Sequence, residues 1–490
     1  MTIFLMLLVI LLPLAGGAIL PLLRLGSKKA LHVCVLAILT VEAAAVTALL
    51  ISDPAELTVL RMTDTLVLSL RMDGVSRLFL AIASIGYLAA AVFAFRYLEH
   101  GGNETSFFSF FLLSLGALAG MDLSKNLITM YLCFELLTLL SMPLVLHDRT
   151  QESIKAALKY LFYSIAGAFL GLCAIFFLAR FSVSLDFVAG GNLDPAKTAG
   201  HETLLQVVIF LGVIGFGAKA GLYPLHGWLP TAHPVAPAPA SAILSGIIAK
   251  AGVLAILRLI YFCVGTDFLA GTWVQTAWLS LSLLTVFMGS MMAYREKVLK
   301  KRLAYSTVSQ ISYILTGLFL LHPEALLGAL LHTVFHATIK VCLFLSAGSI
   351  IFNTGKTRVD ELRGYGKVLP ITLWSFTIAS LALVGIPPAS GFVSKWYLAS
   401  GALHSGLSFF DWLVPVILLI SALLTAGYLL PISIDGFFPG RDFPKLPEKS
   451  REGGPLMWAP VAVFAALSLL LGLFSGPLVR ALREIAGSLF

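Results

Sequence analysis

From residue 2 to residue 480 the chain alternates apolar runs with short polar connectors. Only a lipid bilayer suits that pattern, because a helix needs about 20 apolar residues to cross about 30 Å of hydrocarbon. The runs fall near 2–23, 30–51, 74–96, 107–122, 124–146, 157–179, 204–223, 238–262, 273–294, 303–321, 325–352, 370–400, 412–434 and 456–480, which predicts about fourteen spans. Composition agrees, with 59% hydrophobic and 12% charged residues among 490, where soluble domains carry about 25% charge. Too little chain is left between the runs for a sizeable soluble domain, which excludes soluble catalytic machinery. The predicted fold class is an all-α polytopic membrane protein. The one strand signal is AELTVLRMTDTLVLSLRM (55–72), where polar and apolar residues alternate, and it predicts a small hairpin in an extramembrane connector.

The net charge of +8 does not mark a nucleic-acid binder, because the cations gather in short connectors and not in a basic stripe with interleaved aromatics. They report topology, since cytoplasmic connectors carry the excess of Lys and Arg. One set of alternate connectors holds Arg24, Lys28, Lys29, Arg96, Arg149, Lys155, the Arg295 to Arg302 cluster, Lys356, Arg358, Arg363, Lys367, Arg441, Lys445, Lys449 and Arg451. The other set holds about a third as many, so both termini are expected on the outer face of the plasma membrane. Residues 2–23 lack a basic leader and a convincing cleavage site, and are read as a retained first span. Cys34, Cys133, Cys173, Cys263 and Cys342 stand singly in or beside apolar runs without CxxC spacing, and are read as buried thiols with no redox role.

Two spans are interrupted by proline and glycine, at GLYPLHGWLP (221–230), continuing to Pro239, and at GIPPASG (385–391). Such breaks free backbone carbonyls that lipid cannot satisfy, so they survive only against protein or a water-filled cavity. Breaks at corresponding places in two halves point to inverted repeats with an ion site near the midplane. Spans 4–8 and 9–13 are therefore expected to be two five-helix repeats, each with its fourth helix broken. This divides the chain into an N-terminal three-helix segment (1–104), two repeats (105–262 and 263–434) and a cytoplasmic connector with a last helix (435–490).

An ionisable group at the bilayer centre costs about 2.5–3.5 kcal/mol even on the lenient insertion scale, so each one needs a partner, water or a function. Glu135, Lys219, Lys250 and Lys395 all lie deep in runs. His332, His336 and Lys340 follow at i, i+4 and i+8, on one helical face. A histidine titrates near neutral pH, so this file suits a proton relay. The HxxxH spacing lacks a third ligand for zinc, and no metal site is expected. Four lysines against one carboxylate cannot all be charged cheaply; some switch between amine and ammonium, with Glu135 pairing Lys219 and Lys219 passing its proton towards Lys250. Lys125 and Arg258, near span ends, read as ion-paired or snorkelling groups. Glu42, the other acid deep in a run, reads as structural.

At these residues the sequence resembles the antiporter-like subunits shared by respiratory complex I, Mrp-type cation/proton antiporters and membrane-bound hydrogenases. The resemblance runs from about 105 to 430 through FELLTLLS (134–141), KAGLYPLHGWLPTAHPVAPAPASAILSGIIAKAGV (219–253), KRLAYSTVSQISY (301–313), LHTVFHATIKVCLFLSAG (331–348), DELRGYGK (360–367) and GIPPASGFVSKW (385–396). It implies fourteen core helices in two inverted repeats about a hydrophilic axis. It implies Glu135 as the pairing glutamate, Lys219 as the broken-helix lysine, Lys250 as the connecting lysine, His332 and His336 as the middle of the relay and Lys395 as its exit; Lys340 also falls on a family lysine. Partners are implied too: other hydrophobic subunits, including a second antiporter-like homologue. Lys395 fits less well with complex I members that carry glutamate at the exit, and Lys250 with a length near 490 makes the chain look most like the D-type component of Mrp antiporters or its relatives in hydrogenase-type complexes.

The leading expectation is thus a subunit that moves protons, in exchange for sodium or alone, with no catalytic site of its own. One alternative is the same path inside a redox-driven complex of hydrogenase or NADH–quinone type. A third is a quinone- or haem-binding subunit, for which the sequence offers no cysteine framework, no GxGxxG and no histidines paired across two helices. No cofactor is expected.

Overall fold

A computed structural model of the chain describes residues 1–63, 66–99, 101–440 and 451–490; Arg441, Lys445 and Lys449 of the cationic set lie outside them. Helices α1 (Thr2–Ile19) and α2 (Lys28–Leu50) lead to strands β1 (Glu56–Arg61) and β2 (Val67–Arg71). These pair antiparallel with an irregularity at Thr58/Leu60, as the alternation over 55–72 requires. Then come α3 (Gly74–Tyr97), α4 (Glu104–Asp122), α5 (Leu127–Val145), α6 (Gln151–Phe181), the one-turn α7 (Pro195–Thr198) and α8 (Glu202–Ala220). Polar N-caps at Ser27, Asp73, Asn126 and Thr150 accept from the first turn and fix where α2, α3, α5 and α6 begin.

After α8 the chain makes the short α9 (Leu229–Val235) and then one span, Ala238–Val264, built from α10 (Ala238–Ile243), a π-helical turn (Leu244–Ile248), α11 (Lys250–Arg258) and a second π-helical turn (Leu259–Val264). The second half holds α12 (Trp273–Arg295), α13 (Leu299–Phe319), α14 (Pro323–Thr354), α15 (Pro370–Val384), α16 (Ser390–Leu403) and α17 (Phe409–Phe437). Helices α18 (Pro455–Leu473) and α19 (Gly476–Gly487) close the chain. The predicted last run, 456–480, therefore ends at Leu473, and the amphipathic α19 packs against α14.

Among the described residues twelve helices are long and apolar enough to cross a membrane. The expected fourteen include two more segments, and each misses that standard for a physical reason. The 370–400 run splits into α15 and α16 at its break, each too short alone. The 303–321 run is α13, whose Ser306, Thr307, Ser309, Gln310, Ser312 and Thr316 are all buried. A helix enclosed by protein on every side owes lipid no apolar face. Polar residues are therefore concentrated in the centre, where Ala238–Val264, α13 and α14 form the innermost layer. Helices α1, α2, α4–α6 and α8 pack to one side and α12 and α15–α17 to the other, while α3 and α18 pack on each other and on α14.

Helices α6 and α8 approach closely because glycines face each other. A Cβ on Gly167 would stand 2.4 Å from the Gly215 carbonyl oxygen, and one on Gly215 would stand 2.3 Å from that of Gly167. Small residues at such crossings replace the hydrophobic drive that lipid cannot supply. The thiols depart from expectation at three places: Cys263 and Cys342 are buried, but Cys34 and Cys133 are only partly so, and Cys173 is exposed on the outer side of α6, among apolar side chains that suit lipid.

Candidate functional site

Both predicted breaks lie in the same local structure. Helix α8 ends at Gly221 (φ 81°), whose N–H bonds Ala218 and Gly217, and α15 ends at Gly385 (φ 92°), whose N–H bonds Ala382 and Leu381. Only glycine adopts that left-handed cap at little cost. Each cap is followed three residues later by a proline, Pro224 or Pro388, which lacks the N–H needed to continue the helix. A half-helix thus ends inside the protein with its last carbonyls turned inward, where the dipole favours a cation.

Each half uses that end for a lysine, from opposite directions. Lys219 is in the last turn of α8, two residues before Gly221. Its Nζ donates to Thr138 Oγ1 at 2.5 Å and lies 4.9 Å from the Phe134 ring centre and 5.6 Å from that of Tyr160. Lys395 follows its break, on α16, and reaches back to donate to the carbonyls of Leu383 (2.7 Å) and Val384 (2.9 Å). Its Nζ also lies 5.0 Å from the Tyr313 ring centre.

Between these ends stand Lys250 and the histidines. The π-helical turn at Leu244–Ile248 widens the helix by one residue, and the Ala249 N–H bonds Leu244 instead of Ser245. The freed Ser245 carbonyl accepts from Lys250 Nζ at 3.0 Å. The same Nζ lies 2.8 Å from Nδ1 of His336 on α14. One turn back, His332 stacks on His336 with ring centres 6.0 Å apart, and its Nδ1 bonds Ser394 Oγ at 2.9 Å, beside Lys395. The Nε2 atoms of both rings are buried without a protein partner. Lys340, on the same face, turns away to α13 and donates to Leu303 O (3.0 Å) and Ser306 Oγ (2.8 Å).

The structure thus brings Lys250, His336 and His332 together, with Lys395 next in sequence to the Ser394 that His332 bonds and Lys340 beside them, whereas no hydrogen bond joins Lys219 to Lys250 among the described residues. Glu135 acts on Lys219 by its charge but makes no hydrogen bond to it. No ion pair joins it to Lys219 among the described residues. It is half-buried, on the side of α5 that exposes Leu132, Leu136 and Leu139, so the expected Glu135–Lys219 pair is not formed in this structure. Thr138, one turn along α5, takes its place as the partner of Lys219. Lys125, read as ion-paired or snorkelling, bonds Glu56 at 2.6 Å, and Arg258 forms a buried ion pair with Asp73.

Residues 124–425 match the family model described as NADH:quinone oxidoreductase/Mrp antiporter, TM. The chain belongs to this family. Several relatives from it are similar over most of this chain. One is the N component of the NADH-quinone oxidoreductase of Desulforudis audaxviator, 33% identical over 412 residues, covering 81% of this chain and 80% of the relative. Another is the D component of the Na(+)/H(+) antiporter of Bacillus subtilis, 30% identical over 399 residues, covering 81% and 78%. Hydrogenase-4 component B of Escherichia coli is 35% identical over 350 residues, but the match spans only 50% of that protein. In fold, the chain is similar to a chain of the Mrp complex from Dietzia (TM-score 0.85, 22% identity, 99% of this chain and 97% of that one). The relatives come from three kinds of complex and do not single out one.

Two buried groups, His233 and Lys300, were not assigned a role in the relay from the sequence. His233 is fully buried, stacks on Phe344 at 4.7 Å and has neither ring nitrogen bonded. Lys300, which the sequence marks only as a connector cation, is buried and donates to Ala236 O at 2.6 Å. With His147 and Asp148 it lines a cavity of about 610 Å³ at the connector ends of the helices. Burial pushes His147 below its ordinary value, so this mouth gains no charge from it at neutral pH. The signal was present in HPVAPAP (233–239): a histidine followed directly by a proline-rich run, in the segment that carries the family resemblance.

Proposed function

We propose that the chain is the proton- or cation-translocating subunit of a multi-protein membrane complex, and that protons pass along Lys219, Lys250, His336, His332 and Lys395. The observation that carries this reading is the 2.8 Å contact between Lys250 Nζ and His336 Nδ1. An ammonium there donates to a neutral imidazole, and the imidazole loses its Nε2 proton as Nδ1 takes the new one. The Nε2 proton leaves towards His332 through a bridging water, since the rings stack without a direct bond. His332 hands on through Ser394 to the Lys395 amine. Lys340 tunes the array by its charge, and Glu135 acts on Lys219 from across α5.

Spans 4–8 and 9–13 would form the two inverted repeats, 105–262 and 263–434, after an N-terminal segment of 1–104. The shared cap at Gly221 and Gly385 supports this division. Both termini would lie outside the cell, which the cation asymmetry of the connectors supports. The D-type component of an Mrp antiporter is the preferred reading, supported by Lys250, by Lys395 and by the 30% identity to the D component from Bacillus subtilis across 78% of that protein. Partners would be further hydrophobic subunits with a second homologue, and the ions H+ with or without Na+. A redox-driven complex is the second reading, favoured by the 33% identity to a quinone oxidoreductase component across 80% of that protein.

The test has two parts. The tagged protein is extracted in mild detergent and its stoichiometric companions are identified by mass spectrometry. Small hydrophobic subunits with a second homologue support the antiporter, and iron–sulfur subunits the redox pump. The purified complex is then reconstituted in vesicles and proton movement is followed with a pH-sensitive dye. A Lys250→Ala complex that assembles and still moves protons at the unmodified rate would sink the relay.

A further inference from the structure

The N-terminal helices hold two buried carboxyls that the relay does not use. Glu42, midway along α2, is 1% exposed and accepts from Ser84 Oγ on α3 at 2.7 Å. Asp122 is the last residue of α4, also 1% exposed, and neither of its carboxyl oxygens has a hydrogen-bond donor. The β-hairpin lies over this end of α4, since Arg71 N donates to Leu123 O, the next residue.

Charge balance decides what these groups require. The titratable and charged groups facing Asp122 are Arg258 from the Ala238–Val264 span, Glu42 from α2, Tyr87 from α3 and Cys133 from α5; α1, which packs along α4, contributes none. Arg258 is the one cation among them, and it is already matched. Its two terminal nitrogens bond both oxygens of Asp73, at 2.7 and 2.8 Å. Two buried carboxyls therefore share a region with no spare positive charge, and a buried carboxylate without donors or a cation is among the most costly groups a protein can hold.

We propose that Asp122, with Glu42 behind it, is a proton-binding site in the N-terminal bundle that exchanges protons with the hairpin face and is separate from the lysine–histidine path. The geometry selects the proton over sodium. A hard cation asks for a shell of oxygen ligands, whereas Asp122 has no oxygen donor or acceptor bonded to it and sits beside the apolar cluster of Met6, Val9, Leu49, Leu70 and Leu80. The hairpin face opens in a cavity of about 320 Å³ lined by Asp73, Arg71, Phe187 and Phe262, and Asp73 is bonded to Arg258, whose charge acts on Asp122. Protonation of the carboxylate forms one O–H bond and cancels one charge, and its reversal returns the proton to that mouth.

Infrared difference spectroscopy of the purified complex tests this without relying on transport. On transfer to deuterated buffer, the unmodified protein should show a carboxylic acid carbonyl band that shifts as O–H becomes O–D, and Asp122→Asn should lack it. If that variant does not assemble, Asp122→Glu should move the band's frequency, and Glu42→Gln should change its pH titration. A spectrum unaltered by any of these variants overturns the site. A band lost in Asp122→Asn that never shifts in deuterated buffer also overturns it, since the acid would then be locked and structural. A band abolished by sodium chloride at constant pH overturns the choice of proton.

Discussion

The carbonyl of Leu383 accepts a 2.7 Å hydrogen bond from Lys395, and Leu383 stands two residues before the cap Gly385 as Lys219 stands two residues before the cap Gly221. The two halves therefore bring an amine to the same end of a broken helix, one from within the half-helix and the other from beyond the break. Swapping the arrangement tests whether that place matters. Lys395→Leu should slow proton movement about 100-fold, the scale of a positioned proton-transfer group. Adding Leu383→Lys should recover a measurable share in vesicles, because the new amine starts where Lys219 does. No recovery would mean that the direction of approach matters more than the place.

The Lys250–His336 contact predicts a separation of transport from stability. His336→Gln keeps an acceptor near Lys250 Nζ but cannot pass a proton, so the rate should fall about 100-fold. The melting temperature in detergent should hardly move. A large loss of stability with an unchanged rate per folded molecule would assign His336 to structure.

Gly252 offers a steric test away from the acid–base groups. A Cβ there would stand 2.6 Å from Ala220 N and 2.7 Å from Phe216 O, both backbone atoms of the helix that carries Lys219. Gly252→Ala must therefore push α11 from α8, at roughly 1–3 kcal/mol. A lower melting temperature together with slower transport is expected. Wild-type values for both would show that the two helices yield freely.

Asp73 sets a pH expectation outside the spans. Burial alone would raise its pKa, but the Arg258 guanidinium and the Ser76 N–H overcome that and hold it at about 2, below the usual 3.8. A depressed acid stabilises the fold above its ordinary value, and the gain is lost as pH falls through the lowered one. Asp73→Asn leaves Arg258 buried and unmatched, at a cost of roughly 3 kcal/mol. The melting-temperature gap between the two proteins should stay constant from neutrality down to about pH 4 and narrow only towards pH 2. A gap that closes at neutral pH would remove the clamp.

What the sequence made legible was local. Most apolar runs, the alternating hairpin, the glycine–proline breaks and the shared face of His332 and His336 need only neighbours along the chain and are found where expected, whereas the last run stops at Leu473 and Lys340 turns to α13. What escaped depends on distance. Arg258 is 185 residues from Asp73, so nothing near either one announces a bidentate clamp. Asp122 ends an apolar run and looked like an ordinary span boundary until the hairpin covered it. Glu135 makes no direct bond to Lys219 although it stands one turn from Thr138, which does, because the reach of a side chain between two helices is not written in the spacing along either one.

Helix α13 carries Lys300, Lys301 and Arg302 at one end and a row of hydroxyls along its length, all within a shell of other helices. During synthesis those helices arrive in order, and α13 emerges before α14, its neighbour on the far side. A segment so polar gains little by partitioning into lipid alone. Its insertion is best made jointly with the apolar α12 and α14 on either side of it in the chain, so the most polar helix of the innermost layer enters the bilayer in company.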